Sequence, residues 1–380
     1  MKIIKFSFKD NLHQWQLDPI EFSNFTLLVG VSGVGKTQIL NSLRTVVDIA
    51  AGHEYNGISW DVTFSIDGGK ECRWAGGYET LAGKQSDGFE NEVYGLSKRP
   101  QIKTETLSIE GEVIIERKGK KIVLCGSQTP ILCPYQSAIS LLRYEPKIAA
   151  ASNAFNQVIY SDTAKCVQNT YLYNLQTLAD VVKQFSTLEK IQASKFNTLV
   201  KLALLNHCRP EFFEHIKNEF IEIFPQVEDI KIETSQQNFE DKTLITHSLL
   251  IKEKGIKGWV DQARISSGMY KTFLQLAQMH LWPRNSVIII DEFENSLGIN
   301  CIDTLTDALM SHPGDLQFII TSHHPYIINN ISPEHWKVVQ RRFDRVTTSD
   351  AKALGIGRSN QDAFIQLINN DNYLEGIRSE

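Results

Sequence analysis

The sequence lacks paired cysteines and long apolar runs. Its 380 residues include six cysteines, and no two of them form a CxxC pair. This scatter argues against a zinc ribbon and a disulfide framework, and it fits a reducing compartment. No stretch approaches the roughly 18 apolar residues of a membrane span, and Lys5 and Lys9 interrupt the amino terminus before a signal-length apolar region forms. We therefore expect a cytoplasmic protein with no membrane partner.

An excess of positive charge is also missing. The formal net charge is −5 and the pI is near 6.1, so the overall charge does not indicate a nucleic-acid-binding protein. Two basic segments, 116–121 and 340–345, are short, and we interpret them as solvated turns or strand ends. DNA or RNA therefore remains a possible partner only if a local basic surface binds it. Apolar residues at 42% and charged residues at 22% are typical of a globular protein with a packed core.

The order of apolar segments predicts an α/β fold. The segments "KIIKFSF", "WQLDPIEF" and "FTLLVG" have strand patterns, and a helical face follows in "TQILNSLRTVVDIAAG". From Trp60 to about Ile131, short alternating strands with glycine turns indicate an antiparallel β layer. Near the carboxyl end, strands and helices alternate as in parallel βαβ units. We expect a parallel core sheet, an antiparallel β layer and a helical insertion.

The change of period suggests three segments. Residues 1–140 form the first part of the α/β head, and residues 226–380 form its second part. Between them, residues 141–225 read as a helical insertion, because "TYLYNLQTLADVVKQF" and "EFFEHIKNEFIEIF" place apolar residues three and four positions apart.

The segment "GVSGVGKT" at residues 30–37 matches G-x-x-x-x-G-K-[ST] without departure. Glycines let the backbone N–H groups of such a loop point at phosphate oxygens, lysine reaches the β- and γ-phosphates, and the final hydroxyl binds Mg²⁺. An apolar strand before it and a helix after it are the required context. The sequence predicts a site for ATP and Mg²⁺ at these residues: Gly30, Ser32, Gly33, Val34, Gly35, Lys36, Thr37 and Gln38.

Two further strands end in candidate catalytic residues. "VIIIDEFEN" ends an apolar strand with Asp291, a predicted Mg²⁺ ligand, and Glu292, which is placed to take a proton from the attacking water. We expect Glu294 on the solvated side of the following turn. "FIITSHHP" puts His323 at the same sheet edge, where it can hydrogen-bond the γ-phosphate. A zinc site at His323 and His324 is the rival interpretation, but no third ligand of suitable spacing is visible.

A fourth segment, "ISSGMYKTFLQLAQ" (residues 265–278, the signature segment), completes a set of motifs. Together they resemble the heads of ABC-type ATPases, and above all the SMC/RecF/OLD-like AAA ATPases of bacterial DNA repair and antiphage systems. The resemblance covers about residues 1–140 and 255–330. It implies a head-to-head dimer in which each nucleotide lies between one subunit's phosphate loop and the other subunit's signature.

The resemblance also assigns roles. Ser266 and Gly268 would contact the partner's γ-phosphate, Glu292 would be the catalytic glutamate and His323 the switch histidine. "ENSLGIN" would be the loop that crosses the dimer. The signature segment departs from the family's LSGGQ pattern at Ser267 and Met269. The alternative is that Ser266 or Ser267 only caps a helix that buries its apolar face.

Two further assignments rest on position. The family has a glutamine between a strand and the helical lobe that reaches Mg²⁺ or the attacking water, and "CPYQSAISLLRY" puts Gln136 at such a junction. Residues 11–15, in the first hairpin, are candidates for framing the adenine.

Three functions compete. The first is an ATP-hydrolysing regulatory subunit of an antiphage-defence system, a homodimer or larger homo-oligomer that controls a separately encoded effector such as a nuclease or toxin. The second is a RecF/SMC-like repair ATPase that binds DNA directly. The third, the nucleotide-binding subunit of a transporter, ranks last because such subunits usually keep a stricter signature and lack so large an insertion. No nuclease motif is visible, so we expect that this chain does not cut nucleic acid alone.

Overall fold

The computed structural model describes residues 1–81, 99–161, 171–173, 175–239, 242–295, 297–311, 315–357, 360–370, 373 and 377–378. The chain divides into two compact units. The first unit comprises Met1–Tyr160, Asn285–Glu292 and Gly314–Glu380, and the second comprises Ser161–Arg284 and Phe293–Pro313. The division into three segments at residues 140 and 225 stays a prediction. Among the helices described, none has both the length and the apolar character that a membrane span requires.

The β-strands of the described residues follow one another along both units. In chain order they are β1 Lys2–Asp10, β2 Trp15–Glu21, β3 Phe25–Val29, β4 Ile58–Ser65, β5 Glu71–Tyr78, β6 Ile102–Ile109, β7 Glu112–Lys118, β8 Lys121–Leu124, β9 Ser127–Gln128, β10 Val158–Tyr160, β11 Tyr171–Tyr173, β12 Val227–Phe239, β13 Lys242–Glu253, β14 Trp259–Asp261, β15 Val287–Ile290, β16 Gln317–Thr321, β17 Trp336–Arg342, β18 Arg345–Asp350 and β19 Ile377–Arg378.

The α-helices are numbered in the same way. In chain order they are α1 Lys36–Ala50, α2 Ala138–Leu141, α3 Pro146–Ala154, α4 Leu175–Gln184, α5 Leu188–Ala193, α6 Thr198–Cys208, α7 Pro210–Ile223, α8 Ser267–Leu281, α9 Ile299–Met310, α10 Pro325–Asn330 and α11 Asn360–Ile368.

One mixed sheet organises the first unit. Its order is β10-β15-β16-β3-β17-β18-β2-β1-β4-β5-β6-β7-β8-β9, with β19 beside β17. The neighbours from β10 to β17 are parallel, whereas β1, β2 and β4–β9 form antiparallel pairs. The predicted α/β fold, with a parallel core and an antiparallel part, is confirmed. The antiparallel strands continue the hydrogen-bonded ladder of the parallel ones.

The parallel strands are apolar along their whole length because both faces of the sheet are covered. Every residue of β3, β15 and β16 is buried. Helix α1 buries Ile39, Leu43 and Val46 in the same core cluster. Such packing fixes the position along the strand direction at which each strand ends. The carboxyl ends of β3, β15 and β16 therefore form one polar edge of the sheet.

A buried ion pair lies in the antiparallel part of the sheet. The Glu105 carboxylate and the Arg117 guanidinium lie 3.6 Å apart, and both side chains are fully buried. Burial raises the pKa of the Glu105 carboxyl, while hydrogen bonds from Ala138 N and Trp74 Nε1 and the charge of Arg117 act in the opposite direction. The guanidinium also donates to the backbone carbonyls of Gly119, Cys133 and Gln136. These bonds hold the segment before α2 in a fixed path.

Among its described residues, the second unit contains a second, smaller sheet and six α-helices. The sheet order is β11-β13-β12, and β14 also pairs with β13. Helices α7 and α8 pack through Phe220 and Phe273, whose ring centroids lie 5.3 Å apart in an edge-to-face arrangement. The prediction that "TYLYNLQTLADVVKQF" is wholly helical is wrong at its start. Residues 171–173 form β11, a strand with the aromatic composition that favours pairing, and the helix begins at Leu175.

Candidate nucleotide-binding site

The segment Gly30–Thr37 (the phosphate loop) connects β3 to α1. A Cβ on Gly30 would lie 2.8 Å from the carbonyl oxygen of Val339 on β17, so only glycine fits there. Gly35 has φ of 106°, a left-handed conformation that glycine adopts without strain, and it is the cap residue of α1. The Lys36 ammonium donates hydrogen bonds to the carbonyls of Gly30 at 2.7 Å and Val31 at 3.1 Å. The loop is thus curled around its own lysine.

Three segments meet at the Asp291 carboxylate, which follows β15. Thr321 at the end of β16 donates from its hydroxyl to Asp291 Oδ1 at 2.6 Å, and Thr37 donates to the same oxygen at 3.3 Å. The Thr321 hydroxyl also accepts a hydrogen bond from the backbone N–H of Glu292 at 2.7 Å. Because β3, β15 and β16 are parallel, their carboxyl ends share one edge, and these bonds orient the acid toward the phosphate loop.

Glu292 has an unusual backbone conformation. Its φ is 47°, in the left-handed region that residues with a side chain rarely adopt. The Thr321 hydroxyl holds this turn through the Glu292 N–H. Strain of this kind is concentrated at functional sites, where surrounding contacts maintain it. The Glu292 side chain is exposed at the sheet edge.

A cavity of about 370 Å³ lies at this edge, entirely within the first unit. It brings together nine of the residues that the sequence predicted. They are Ser32, Gly33, Gly35, Lys36, Thr37, Gln38, Asp291, Glu292 and His323. Gly30 and Val34 do not line it, because Val34 is fully buried beneath the loop and Gly30 lies against β17. Thr321, Ser322 and Arg341 line the cavity in addition.

The residues present fit a nucleoside triphosphate with Mg²⁺. Gly30 and Gly35 lie where a Cβ would come within 2.8 Å and 3.0 Å of neighbouring protein atoms, so the loop keeps the tightly packed glycine turns that a phosphate cradle requires. The Thr37 hydroxyl and the Asp291 carboxylate, 3.3 Å apart, are oxygen donors of the type that Mg²⁺ prefers.

The two adjacent histidines have different surroundings. His323 lines the cavity, whereas His324 accepts a hydrogen bond from Tyr326 N through Nδ1 at 3.3 Å and caps α10. Within the described ranges, neither histidine belongs to a group of three potential metal ligands. His323 thus lies in the cavity where a γ-phosphate contact was predicted, and its role stays a prediction.

Gln136 lies far from the acids, and this predicted metal ligand needs correction. Its side-chain amide lies 3.6 Å from the Cβ position of Gly52, beyond the carboxyl end of α1. The 15 residues of α1 span about 22 Å, and the phosphate loop is at the other end. The strand that does end at the acidic edge is β10, which is parallel to β15 and stops at Tyr160. The backbone carbonyl of Gln136 instead accepts a hydrogen bond from Arg117 at 2.7 Å.

The first hairpin also lies outside the cavity lining. The Asn11 amide donates to the Gly57 carbonyl at 2.8 Å, and the Trp15 ring packs 5.5 Å from that of Phe8. The proposed contact of residues 11–15 with adenine stays a prediction.

The signature segment lies in the second unit. The Ser266 hydroxyl accepts a hydrogen bond from Met269 N at 3.3 Å and caps α8, which buries Phe273, Leu276 and Ala277. The capping interpretation therefore describes the local structure. Ser266 remains exposed, so the same helix end is accessible to an anion. Glu294, in contrast, is only 8% exposed, and the prediction that it lies on the solvated side is wrong.

Arg341 is the charged residue that sequence reasoning missed. The sequence interpretation assigned it to a solvated basic segment. However, β17 pairs in parallel with β3, with Val338 opposite Val29, and this register carries Arg341 to the level of the phosphate loop. Its Nε donates to the Phe343 carbonyl at 3.0 Å, which holds the guanidinium in place. No local motif marks the residue, because its position depends on the pairing of strands about 300 residues apart.

The phosphate loop, the two acids and the cavity form a site of the kind that P-loop nucleotide-binding proteins have. Residues 175–329 match the family described as "AAA domain, putative AbiEii toxin, Type IV TA system", a span of less than half of the chain. The match contains the signature segment, Asp291, Glu292 and His323, but it starts after the phosphate loop. The predicted resemblance to SMC-like AAA ATPases is confirmed. The matched residues include part of the helical middle, which the sequence resemblance left out.

Several solved structures are similar to this chain. One is a head domain of SMC bound to the C-terminal winged-helix domain of ScpA, with 14% identity, 92% of this chain and 97% of that chain covered, and a TM-score of 0.47. A second is the Smc head domain bound to the C-terminal domain of ScpA from Pyrococcus furiosus, with 13% identity, 92% and 96% coverage and a TM-score of 0.43. A third is the SMC head domain from Thermotoga maritima, with 12% identity, 92% and 99% coverage and a TM-score of 0.43. No curated protein matches the sequence significantly.

Arg341 provides a test of the cavity. We expect Arg341→Ala to weaken the binding of ATP by about tenfold or more, because a charge-assisted hydrogen bond to phosphate is lost. The matched control is Arg342→Ala, which changes the next residue on β17, exposed and outside the cavity lining. Fluorescence titration with a labelled ATP analogue gives both dissociation constants. Equal affinities in the two variants would mean that Arg341 does not contact the nucleotide.

Proposed function

We propose that this chain is the ATP-binding and ATP-hydrolysing regulatory subunit of a bacterial antiphage-defence system. ATP-sandwich dimers of the chain control a separate effector, a nuclease or toxin, in the cytoplasm. The observation that carries the ATPase part is the convergence of Lys36, Asp291, Glu292 and His323 on one cavity. The proposed segments are 1–140 and 226–380 for the head and 141–225 for the insertion.

Each residue of the cavity has a proposed role in hydrolysis. The N–H groups of the phosphate loop and the Lys36 ammonium bind the phosphates, and Arg341 adds a second positive charge. Thr37 and Asp291 would hold Mg²⁺, which neutralises phosphate charge when bound. Glu292 takes a proton from water, the water oxygen attacks the γ-phosphorus, and the bond to the bridging oxygen breaks to release ADP. His323 hydrogen-bonds the γ-phosphate.

Glu292→Gln separates binding from hydrolysis. We expect ATP turnover to fall by about 10²- to 10⁴-fold because the general base is lost. ATP affinity stays close to that of the unchanged protein, since Glu292 is not a phosphate ligand. Phosphate release measures turnover, and Lys36→Ala is the comparison variant, in which ATP binding itself weakens. Turnover at the normal rate in Glu292→Gln under saturating ATP would refute the assignment of the base.

The dimer proposal rests on the signature segment. Ser266 and Gly268 do not line the cavity of the first unit, yet the amino end of α8 is exposed and favours an anion. A nucleotide held by a second copy of the chain would supply that anion. Because Ser266 already caps the helix, a test must keep the cap while changing the charge.

Ser266→Asp and Ser266→Asn form such a pair, because aspartate and asparagine cap helices equally well. In a Glu292→Gln background with ATP, we expect a stable dimer by light scattering, and Ser266→Asn retains it in part. Ser266→Asp abolishes it, because its carboxylate repels the γ-phosphate of the other subunit. Identical dimerisation of the two variants would leave Ser266 with a capping role alone.

The effector proposal draws on the family match and on the second unit. The description of the matched family names a type IV toxin–antitoxin system, and a toxin–antitoxin system has more than one component. The second unit adds a four-stranded sheet and helices to a first unit that already contains the phosphate loop, both acids and His323. We propose that residues 141–225 bind the effector and respond to nucleotide state. An affinity difference of about 5- to 150-fold between states is typical of such coupling.

Pull-down after co-expression with the neighbouring open reading frame tests this regulation. Glu292→Gln mimics the ATP state and Lys36→Ala the empty state. We expect the amount of captured effector to differ between them by at least about fivefold. If neither variant captures a protein and the purified chain instead binds duplex DNA tightly, with ATP required and affinity falling as salt rises, the RecF/SMC-like repair function replaces this proposal.

A further inference from the structure

Three side chains with metal-ligand chemistry meet in the second unit. His215 and Glu219 lie on α7, and His280 lies in the last turn of α8. His215 Nε2 lies 3.1 Å from Glu219 Oε1, and His280 Nε2 lies 2.7 Å from Glu219 Oε2. In the described part of the chain this is the one group of three such residues whose ligand atoms all lie within 4.8 Å of one another.

The helices explain why the three atoms converge. His215 and Glu219 are four residues apart, so they project from the same face of α7. Contact between Phe220 and Phe273 fixes α7 against α8. Phe212 packs its ring at 89° to that of His280, with centroids 5.7 Å apart, which restrains the imidazole. The site is therefore built on two packed helices rather than on a loop.

The distances approach those of a tetrahedral metal site. With metal–ligand bonds of 2.0–2.1 Å, ligand atoms around Zn²⁺ lie about 3.3 Å apart. The histidine nitrogens lie 3.1 Å and 2.7 Å from the two different oxygens of the Glu219 carboxylate, and the ligand atoms of the three residues all lie within 4.8 Å of one another, so small side-chain movements would bring them to that spacing. Side-chain exposures of 58% for His215, 31% for Glu219 and 23% for His280 leave an entry path from solvent and room for water as a fourth ligand.

We propose that His215, Glu219 and His280 bind a divalent transition metal of the Zn²⁺ class. Two imidazole nitrogens and one carboxylate oxygen match the ligands that Zn²⁺ takes, whereas Ca²⁺ and Mg²⁺ require oxygen ligands. Binding requires both imidazoles to be neutral, with Nε2 free to coordinate.

The metal would join α7 to α8. The signature segment begins α8, and His280 is its penultimate residue, so one helix carries the proposed phosphate contact at one end and the metal at the other. Occupancy therefore stabilises the packing on which the position of Ser266 depends. The alternative is an ordinary network in which both histidines hydrogen-bond the Glu219 carboxylate without any metal.

Zinc titration of the full chain, freed of metal and without nucleotide, distinguishes the two. Competition with a chromophoric chelator gives the stoichiometry and affinity. We expect one tight site in the unchanged protein, and affinity at least about 100-fold weaker in His215→Gln, which removes a ligand that is largely exposed. Two controls keep the site: His207→Gln, an exposed histidine on α6, and His323→Gln, which removes the histidine of the nucleotide cavity.

Thermal unfolding supplies a second readout. Zn²⁺ raises the melting temperature of the unchanged protein and of both controls, but not of His215→Gln or Glu219→Gln. Co²⁺ produces visible absorption bands of four-coordinate geometry in the same proteins. The proposal is overturned if the unchanged protein binds no Zn²⁺, or if His215→Gln and Glu219→Gln bind it as tightly as the controls do. The three side chains are then a hydrogen-bonded network only.

Discussion

The Asp291 carboxylate joins the parts of the candidate site. It accepts hydrogen bonds from Thr321 at the end of β16 and from Thr37 at the start of α1, and it follows β15. The Thr321 hydroxyl also accepts a hydrogen bond from the Glu292 N–H and so holds Glu292 in its left-handed conformation. These contacts require β3, β15 and β16 to end at one height, which the apolar, fully buried strands enforce. Packing of the sheet is thus the constraint on which the geometry of the acids depends.

Residues in local motifs were predictable, because a motif carries its own structural context. The phosphate loop, Asp291, Glu292 and His323 each follow an apolar strand, and the fold brings them to one cavity. Predictions that depended on distant pairing were less accurate. Gln136 occupies a plausible junction in the sequence, but Arg117 holds that segment beside the far end of α1. Arg341 reaches the cavity only through the register of β17 with β3.

Burial and strand pairing also determine secondary structure and side-chain exposure that the periodicity of the sequence does not specify. Tyr171–Tyr173 lies in a segment with helical spacing, yet it pairs with β13 as a strand. Glu294 follows two exposed acids, and its own side chain is buried. The helix cap at Ser266 and the proposed phosphate contact are compatible in one conformation, so neither the sequence nor the local geometry separates them. The two roles can be separated only by replacing Ser266 with residues that cap the helix equally well but differ in charge.

The path of the chain between the two units has a consequence for how such proteins can be recombined. The chain passes from one unit to the other at residues 160–161, 284–285, 292–293 and 313–314. The second unit is therefore formed by two separate segments of the chain, and the eight residues between these segments, Asn285–Glu292, belong to the first unit. A gene fusion that exchanged one of these segments alone would combine parts of the second units of two different proteins. A chimera that exchanges the second unit must replace both segments together and keep Asn285–Glu292 with its original sheet.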